Sequence, residues 1–560
     1  MRSKYPALPL VFLVAGGLAA CSDDSSPSTP DAPTAAIDAK IAPDAGIDAP
    51  SSSADAGTTA LLQQKVETIV LIYAENRGFD NLYGSFPGAN GIPATPTKQV
   101  DRDGTTALTE LPRFWGGLTQ DSPLQSISVT KDQTAGLANQ PFSIPTQFPG
   151  VGLDIISADL VHRFFQNQMQ IDGGKNDLFA AYSDAGGEVM GHYDGSTMAL
   201  WKVASDYTLA DNFYQAAFGG SFLNHQYLIC ACAPEYPNAD TSPASGRISV
   251  VDKDQNGKLT FKLTLTAASP VSAIDGPPGY AKDGAISPKD YFGDGTFRGI
   301  NTLQPAYQPS GNKPPASDTT KLLADPAADS TLPEQTETTI GDLLDSKSVS
   351  WAWYANQYNT TLAAATGDHV YEMIPGGNTR YQFHHHPFNY YARLNPITAA
   401  PYRATHLKDY EDLVAQAQAG TLPQVVFYKP AGDVNQHPGY ANIKAGDDHI
   451  ADLITKLKAS PQYSKMVIVI TYDENGGFWD HAAPPKADLL GPGSRIPAII
   501  VSPLAKQHFI DHTLYDTSSF VRLVIRRFGL DALPGLTDRD AKLQTNGSPK
   551  IGDLTNALSL

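Results

Sequence analysis

Met466-Val467-Ile468-Val469-Ile470 is an unbroken apolar run, and it leads directly into Thr471-Tyr472-Asp473-Glu474-Asn475-Gly476-Gly477-Phe478-Trp479-Asp480-His481. A strand that is apolar on both faces must be covered on both, which is the situation of a parallel sheet with helices above and below. Two adjacent carboxylates then stand at the strand's carboxyl end, where open α/β sheets gather their ligands. Thr68-Ile69-Val70-Leu71-Ile72-Tyr73 is a second such run, ending at Ala74-Glu75-Asn76 and followed by Arg77-Gly78-Phe79-Asp80. Acidic residues and glycines also cap strands at exposed turns. Two strands far apart in the chain that both end in oxygen donors point instead to a metal held by Glu75, Asn76, Asp473 and Glu474.

β-branched runs recur at 66–73, around 349–354, and at 424–428, 466–472 and 497–501, with helical patterns between several of them, such as His406 to Ala419 and Ile450 to Ala459. That alternation predicts an α/β fold with a mostly parallel central sheet and helices on both faces. The metal donors come from both ends of the chain, so residues 61–560 read as one large catalytic domain. Residues from about 234 to 345 are rich in Pro, Gly, Asp, Ser and Thr and form a loop-rich cap insertion. Asp252-Lys253-Asp254-Gln255-Asn256-Gly257 matches the first half of an EF-hand loop, but Leu263 stands where a bidentate acid belongs, so a plain hairpin turn is the better reading.

The first twenty residues read as an export signal: Arg2 and Lys4, then an apolar stretch from Leu8 to Ala20 that is short for a membrane span. It ends at Leu18-Ala19-Ala20-Cys21, which resembles a lipobox with Cys21 as the lipidated residue. Residues 21–60 are Asp, Ala, Ser, Pro and Thr with few large apolar side chains, a composition that reads as a flexible tether. The expected location is lipid-anchored on the bacterial cell envelope, at the outer membrane or periplasmic face. The lipid is the only membrane contact expected. The whole chain carries −18; the signal supplies two positive charges and the tether a net six negative, which leaves −14 for residues 61–560. So acidic a surface argues against nucleic acid as a partner. Cys230 and Cys232 lie two apart, a spacing that strains a bridge, and are expected as buried free thiols.

Gly219-Gly220-Ser221-Phe222-Leu223-Asn224-His225 opens a segment that can continue as a helix. A serine there either caps the helix or, where the helix N-terminus receives a phosphate, attacks phosphorus. Three histidines stand together at His384-His385-His386, and His437 lies just past the strand 424–428, again at a carboxyl end.

Taken together, Glu75-Asn76-Arg77-Gly78-Phe79-Asp80, Gly219-Gly220-Ser221, His385-His386-Pro387-Phe388, Gln436-His437-Pro438 and the 471–481 segment resemble the bacterial phosphoesterases that include phospholipases C and exported acid phosphatases, built on an alkaline-phosphatase-like fold. Ser494-Arg495-Ile496-Pro497-Ala498-Ile499 and Thr537-Asp538-Arg539-Asp540 fit as well, so the resemblance covers about 65–540. It implies a metal held by Glu75, Asn76, Ser221, Asp473 and Glu474, with Ser221 the nucleophile of a phosphoseryl intermediate. His384, His385 and His437 would surround the phosphate, one of them protonating the leaving oxygen. Asn224, His162 and Lys175 would touch the substrate or complete the wall. Serine at 221, where the phospholipase C branch usually has threonine, resembles the acid phosphatase branch.

An oxygen-rich donor set suits a hard or borderline divalent ion and leaves Ca, Mg, Mn and Zn open. Imidazoles that are protonated below about pH 6.5 imply an acidic optimum. The expected activity is a metal-dependent acid phosphatase acting on small phosphorylated substrates. The alternatives are a phospholipase C acting on phospholipid, and a binding module without turnover, which the intact donor set disfavours.

Overall fold

Every residue of the runs Thr68–Ala74, Trp351–Ala355, Val425–Lys429 and Met466–Tyr472 is buried. These are four strands of one eight-stranded sheet in a computed structural model that describes residues 52–120, 125–364 and 381–560. In chain order the strands are β1 (Thr68–Ala74), β2 (Thr208–Ala210), β3 (Trp351–Ala355), β4 (Leu407–Lys408), β5 (Val425–Lys429), β6 (Met466–Tyr472), β7 (Ala498–Val501) and β8 (Phe509–Asp511). Across the sheet they lie in the order β8-β2-β7-β6-β1-β5-β3-β4. Neighbours run parallel except where β7 meets β6 and β2. The mostly parallel sheet anticipated from the apolar runs is therefore present, and all five anticipated strands are in it.

Helices cover both faces. The relevant ones are α1 (Ser52–Lys65), α2 (Ala199–Asp206), α3 (Ser221–Cys230), α4 (Tyr410–Ala419), α5 (Ile443–Lys458) and α6 (Ser518–Phe528). Successive strand residues point to opposite faces. On β5, the Phe427 ring meets Phe520 of α6 at 5.4 Å, and the next residue, Tyr428, meets His449 of α5 through its hydroxyl at 2.5 Å. α4 and α2 pack beside α5, while α1 and α3 pack beside α6. α5 shows why such a segment is helical: Asn442 caps its N-terminus by accepting from the Ala445 N–H at 2.8 Å. It then buries Ile443, Ile450, Leu453, Ile454 and Leu457, one apolar stripe at helical spacing.

Two expectations are corrected. α1 occupies part of the segment assigned to the tether, so ordered structure begins by Ser52. Leu62 is fully buried, and Arg526 of α6 pairs with Asp55 at 2.5 Å and bonds Thr59 Oγ1 at 2.9 Å, anchors that the composition of the segment does not reveal. The signal-like segment, Cys21 and the tether up to residue 51 lie outside the described residues. Cys230 and Cys232 are disulfide-bonded rather than free. Ala231 between them adopts the left-handed conformation that ends α3, with φ 53°, and this turn brings the flanking Cα atoms to 5.1 Å.

Residues 234–345 carry short bridges, two 3₁₀ turns (Ala239–Thr241 and Pro243–Arg247), a small hairpin (Val251–Lys253 with Leu259–Leu263) and most of a short α-helix (Ile340–Ser346). The EF-hand-like segment is the hairpin's turn. Asp254 Oδ1 accepts from the Asn256 and Lys258 N–H groups at 2.8 and 2.9 Å, which is how an Asx side chain closes a turn without an ion. Among the described residues no helix is long and apolar enough to cross a membrane.

Candidate active site

The register of the central strands brings the donors together. Ala74 at the end of β1 pairs with Tyr472 at the end of β6, so Glu75 and Asn76 leave the sheet beside Asp473 and Glu474. β5 flanks β1 on the other side and ends in Lys429. Asn76 sits in the left-handed region at φ 54°, which asparagine tolerates. Its N–H donates to Asp473 Oδ1 at 3.2 Å, and the Glu474 N–H donates to the same oxygen at 2.9 Å. Gly476 follows at φ 64°, where an added Cβ would lie 2.3 Å from Asn76 O. Its N–H donates to Glu474 Oε2 at 2.7 Å.

Ser221 reaches the same point from α3. Gly219, at φ 81°, passes so close to the 162–164 segment that a Cβ would meet Phe164 N at 2.3 Å. Gly220 takes the cap position and no side chain caps the helix, so Ser221 is not an N-cap. Its Oγ lies 3.5 Å from Glu75 Oε2, 3.4 Å from Asn76 Oδ1 and 3.4 Å from Glu474 Oε1. The Asn76 amide is oriented by His162. His162 Nδ1 lies 2.5 Å from Leu160 O and so carries the proton, and Nε2, 3.4 Å from Asn76 Nδ2, accepts from that amide, which turns the amide oxygen toward Ser221.

These residues fit a divalent cation. Glu75, Asp473 and Glu474 are fully buried, and among the described residues Lys429, in close contact with Glu75 Oε1, is the cation nearest them. Three carboxylates against one ammonium leave two negative charges in a place where uncompensated charge is costly. Burial first, and Asp473 second, push the Glu75 and Glu474 carboxyls well above the usual range. A divalent ion supplies the missing charge, and the converging side-chain oxygens are hard donors.

The cavity above Ser221 has a volume of about 390 Å³ and is lined by His162, His384 and His437, by Asp159 and Asp184, and by residues of the cap segment, among them Asn301 and Gln304. Burial lowers the His437 imidazole well below its ordinary value and takes His384 to about 3. His385 lies behind this wall, its Nδ1 3.1 Å from Glu75 Oε1, and His386 turns away to meet the Tyr381 hydroxyl at 2.5 Å.

Two residues expected to touch substrate are placed elsewhere. Asn224 is fully buried and its amide is consumed by the turn before Ser221: Oδ1 accepts from Ala217 N at 2.9 Å, and Nδ2 donates to Ala217 O at 3.1 Å and Gly220 O at 3.2 Å. It shapes the loop that presents the serine. Lys175 is largely exposed and pairs with Asp172 at 2.5 Å; it does not line the cavity.

Other motif residues join the loops to one another. Arg495 is fully buried, with Nη2 2.9 Å from Asp80 Oδ1 and Nε 3.0 Å from Asp480 Oδ1, while His481 Nδ1 lies 2.7 Å from Asp80 Oδ2. Arg77 Nε donates to Gln436 O at 3.0 Å, tying the Glu75 loop to the His437 loop. Arg539 pairs with Asp488 and Asp516 beneath α3 at 2.9 and 3.1 Å. Sequence reasoning missed Lys429, although a lysine closing the apolar run Val425-Val426-Phe427-Tyr428 was a visible signal. It also passed over His225, one turn after Ser221.

Residues 66–531 match the Phosphoesterase family. Phospholipase C B of Mycobacterium tuberculosis is 28% identical over 174 residues, covering 26% of this chain and 32% of its own length. Non-specific phospholipase C1 of Arabidopsis thaliana is 30% identical over 136 residues, covering 20% of this chain and 25% of its own. The matches thus span no more than 32% of these relatives. Among solved structures, a protein of the alkaline phosphatase superfamily from Vibrio parahaemolyticus aligns over 71% of this chain and 72% of its own, at 9% identity and a TM-score of 0.28, too loose a likeness to bear on the site. The match over residues 66–531 takes in both strand-end motifs, the Ser221 turn and the histidine loops, and the chain belongs to the Phosphoesterase family.

Proposed function

We propose that the protein is a metal-dependent acid phosphatase that hydrolyses phosphate monoesters through a phosphoserine formed on Ser221. The observation that carries this reading is the place of Ser221 Oγ, on the cavity floor and within 3.5 Å of oxygens from Glu75, Asn76 and Glu474. A divalent cation held by these oxygens would stabilise the serine alkoxide and screen the charge of the phosphoryl group. The backbone N–H groups of the first turn of α3 have no intrahelical acceptors, and Gly220, Ser221 and Phe222 line the cavity, which supports a role for this turn in receiving phosphoryl oxygens.

Ser221 reacts as the alkoxide, its hydroxyl proton having passed to solvent; Oγ bonds to phosphorus as the bond to the leaving oxygen breaks, and that oxygen takes a proton from a protonated imidazole of the wall. Support for His437 in this role is its Nδ1, 2.5 Å from Pro438 O and so the protonated nitrogen, which leaves Nε2 for exchange. Water then bonds to phosphorus as the bond to Ser221 Oγ breaks, the same imidazole takes the water's proton, and the serine alkoxide and inorganic phosphate are released. An imidazole must be protonated to act as the acid, and burial lowers both His437 and His384. Their proton affinity rises only when a phosphate dianion arrives. Both effects support an optimum on the acid side.

A phospholipase C is the second reading, favoured by the names of the matched relatives. Support for a small phosphomonoester is the number of polar side chains around Ser221, among them His162, Arg163, Asp184, His384 and His437, although Leu160, Val161, Phe222 and Tyr440 share the wall. The support for a lipid-anchored location on the envelope is the Leu18-Ala19-Ala20-Cys21 stretch alone.

The test is turnover of p-nitrophenyl phosphate and p-nitrophenyl phosphorylcholine by the wild-type protein, by Ser221→Ala and after EDTA treatment. Faster monoester cleavage below pH 7, reduced at least about a thousandfold in Ser221→Ala, is the expected result. Faster cleavage of the choline diester moves the assignment to phospholipase C, and a pH–rate maximum above 8 counts against the acid phosphatase.

A further inference from the structure

The carboxylates that face Ser221 have a second side. Glu75 turns Oε2 toward Ser221 and Oε1 toward the Lys429 ammonium, with which it is in close contact. Lys429 Nζ also lies 3.9 Å from Asp473 Oδ2, 3.4 Å from Ala74 O and 5.1 Å from the centre of the Tyr73 ring. Two imidazoles close this side. His385 Nδ1 is 3.1 Å from Glu75 Oε1 and His225 Nδ1 is 3.8 Å from Asp473 Oδ2, the two rings stacking 4.9 Å apart at 7°.

One donor atom from each of Glu75, His225 and His385 lies within 4.8 Å of the other two. All of these residues are buried, yet Asp473 Oδ2, His225 Nε2 and both ring nitrogens of His385 have no hydrogen-bond partner. His225 Nδ1 lies 2.7 Å from Ser221 O and donates to it. Metal-binding imidazoles use such a bond to fix their tautomer. Carboxylate oxygens together with imidazole nitrogens make the donor set of a zinc-type ion, in contrast to the oxygen donors on the Ser221 side. An ammonium among them supplies the carboxylates with a single charge, and the imidazole nitrogens beside it stay without a hydrogen-bond partner.

We infer that Glu75, Asp473, His225 and His385 form a second, latent metal position in which the Lys429 ammonium is the resident cation, so that the native protein takes its divalent ion on the Ser221 side only. The count of one native ion rests on the metal reading given under Proposed function. The latent position does not.

The experiment uses the full chain, stripped of metal, equilibrated with excess Zn²⁺ and freed of unbound ion by gel filtration, with zinc counted by plasma mass spectrometry. Lys429→Ala should hold one equivalent more than wild type, and Lys429→Ala/His385→Ala should lose that equivalent. With Co²⁺ in place of Zn²⁺, Lys429→Ala should gain a visible absorption band that wild type lacks. Equal zinc in wild type and Lys429→Ala overturns the inference, as does an extra equivalent that survives His385→Ala. Should Lys429→Ala fail to fold, Lys429→Met keeps the stem packed and is counted in the same way. Independently of either variant, His385→Ala alone should keep all the zinc of the wild type, and loss of an equivalent there overturns the inference. A wild type that binds no zinc refutes the metal site beside Ser221, while the difference between variant and wild type still decides the latent one.

Discussion

Replacing Arg495 with methionine tests the claim that the two strand-end loops are clamped together by buried charge. The guanidinium is fully buried and lies 4.2 Å over the Phe79 ring. It donates to Asp480 Oδ1 at 3.0 Å, Asp80 Oδ1 at 2.9 Å, and the carbonyls of Asn90 and Asp211, both at 2.8 Å. Methionine fills much of the volume but leaves two carboxylates, each about 1% exposed, without their cation. Removing one partner of a buried pair costs about 3–5 kcal/mol. His481 remains on Asp80, and the Asp80 and Ala482 N–H groups remain on Asp480, so a loss of about 4 kcal/mol is the reasoned value. Urea unfolding of the metal-free protein, followed by tryptophan fluorescence, measures it. Arg495→Met/Asp480→Asn should recover about 1–2 kcal/mol by removing one of the stranded charges. A loss below about 1 kcal/mol, the range of an exposed ion pair, would refute the clamp.

Asn224→Ala should lower kcat at least about tenfold with little change in KM, because it loosens the turn that presents Ser221 rather than a contact to substrate; a rise in KM at constant kcat would contradict this. Lys175→Ala should leave both parameters within about twofold, since an exposed i,i+3 ion pair is worth little. His449 gives a pH signature away from the site: burial lowers it to about 4. Above about pH 6.5 the imidazole is neutral in both the folded and the unfolded chain; below it the unfolded chain takes a proton that the folded one declines until about 4, so stability falls as the pH drops through this window. The loss should reach about 2 kcal/mol at pH 5, and the decline between pH 7 and pH 5 should be smaller by that amount in His449→Gln. Equal declines in the two proteins would show that this imidazole does not carry the effect.

The central strands were legible because an apolar run with no polar face has one natural setting, and the acids that follow it were legible for the same reason. Strands of two or three residues, Leu407–Lys408, Thr208–Ala210 and Phe509–Asp511, carry too little periodicity to be seen, and two of them pair at the far edge only because β7 runs backward beside them. Side-chain direction was the main loss. Asn224 and His225 stand three and four residues after Ser221, yet one feeds its amide into the preceding turn and the other reaches behind the carboxylates. Lys429 reads as the polar end of a strand until Glu75 is placed next to it. The disulfide was misjudged because the left-handed turn at Ala231 is a property of the helix end, not of cysteine spacing.

β1 lies between two strands that are synthesised much later. Its neighbours supply Lys429 and Asp473, which are separated from their contacts at Ala74 and Asn76 by 355 and 397 residues. Closing loops of that length must precede any reward from the pairing, so such contacts form slowly. An emerging N-terminal portion can therefore build neither the sheet centre nor the cluster of buried carboxylates, and a long nascent chain would hold the buried run Thr68–Ala74 without its β5 neighbour until residue 425 and beyond has appeared, and without β6 until residue 466 and beyond. The arrangement makes the protein inactive by topology until it is nearly whole, and it makes that one strand the stretch most in need of protection while the chain is incomplete.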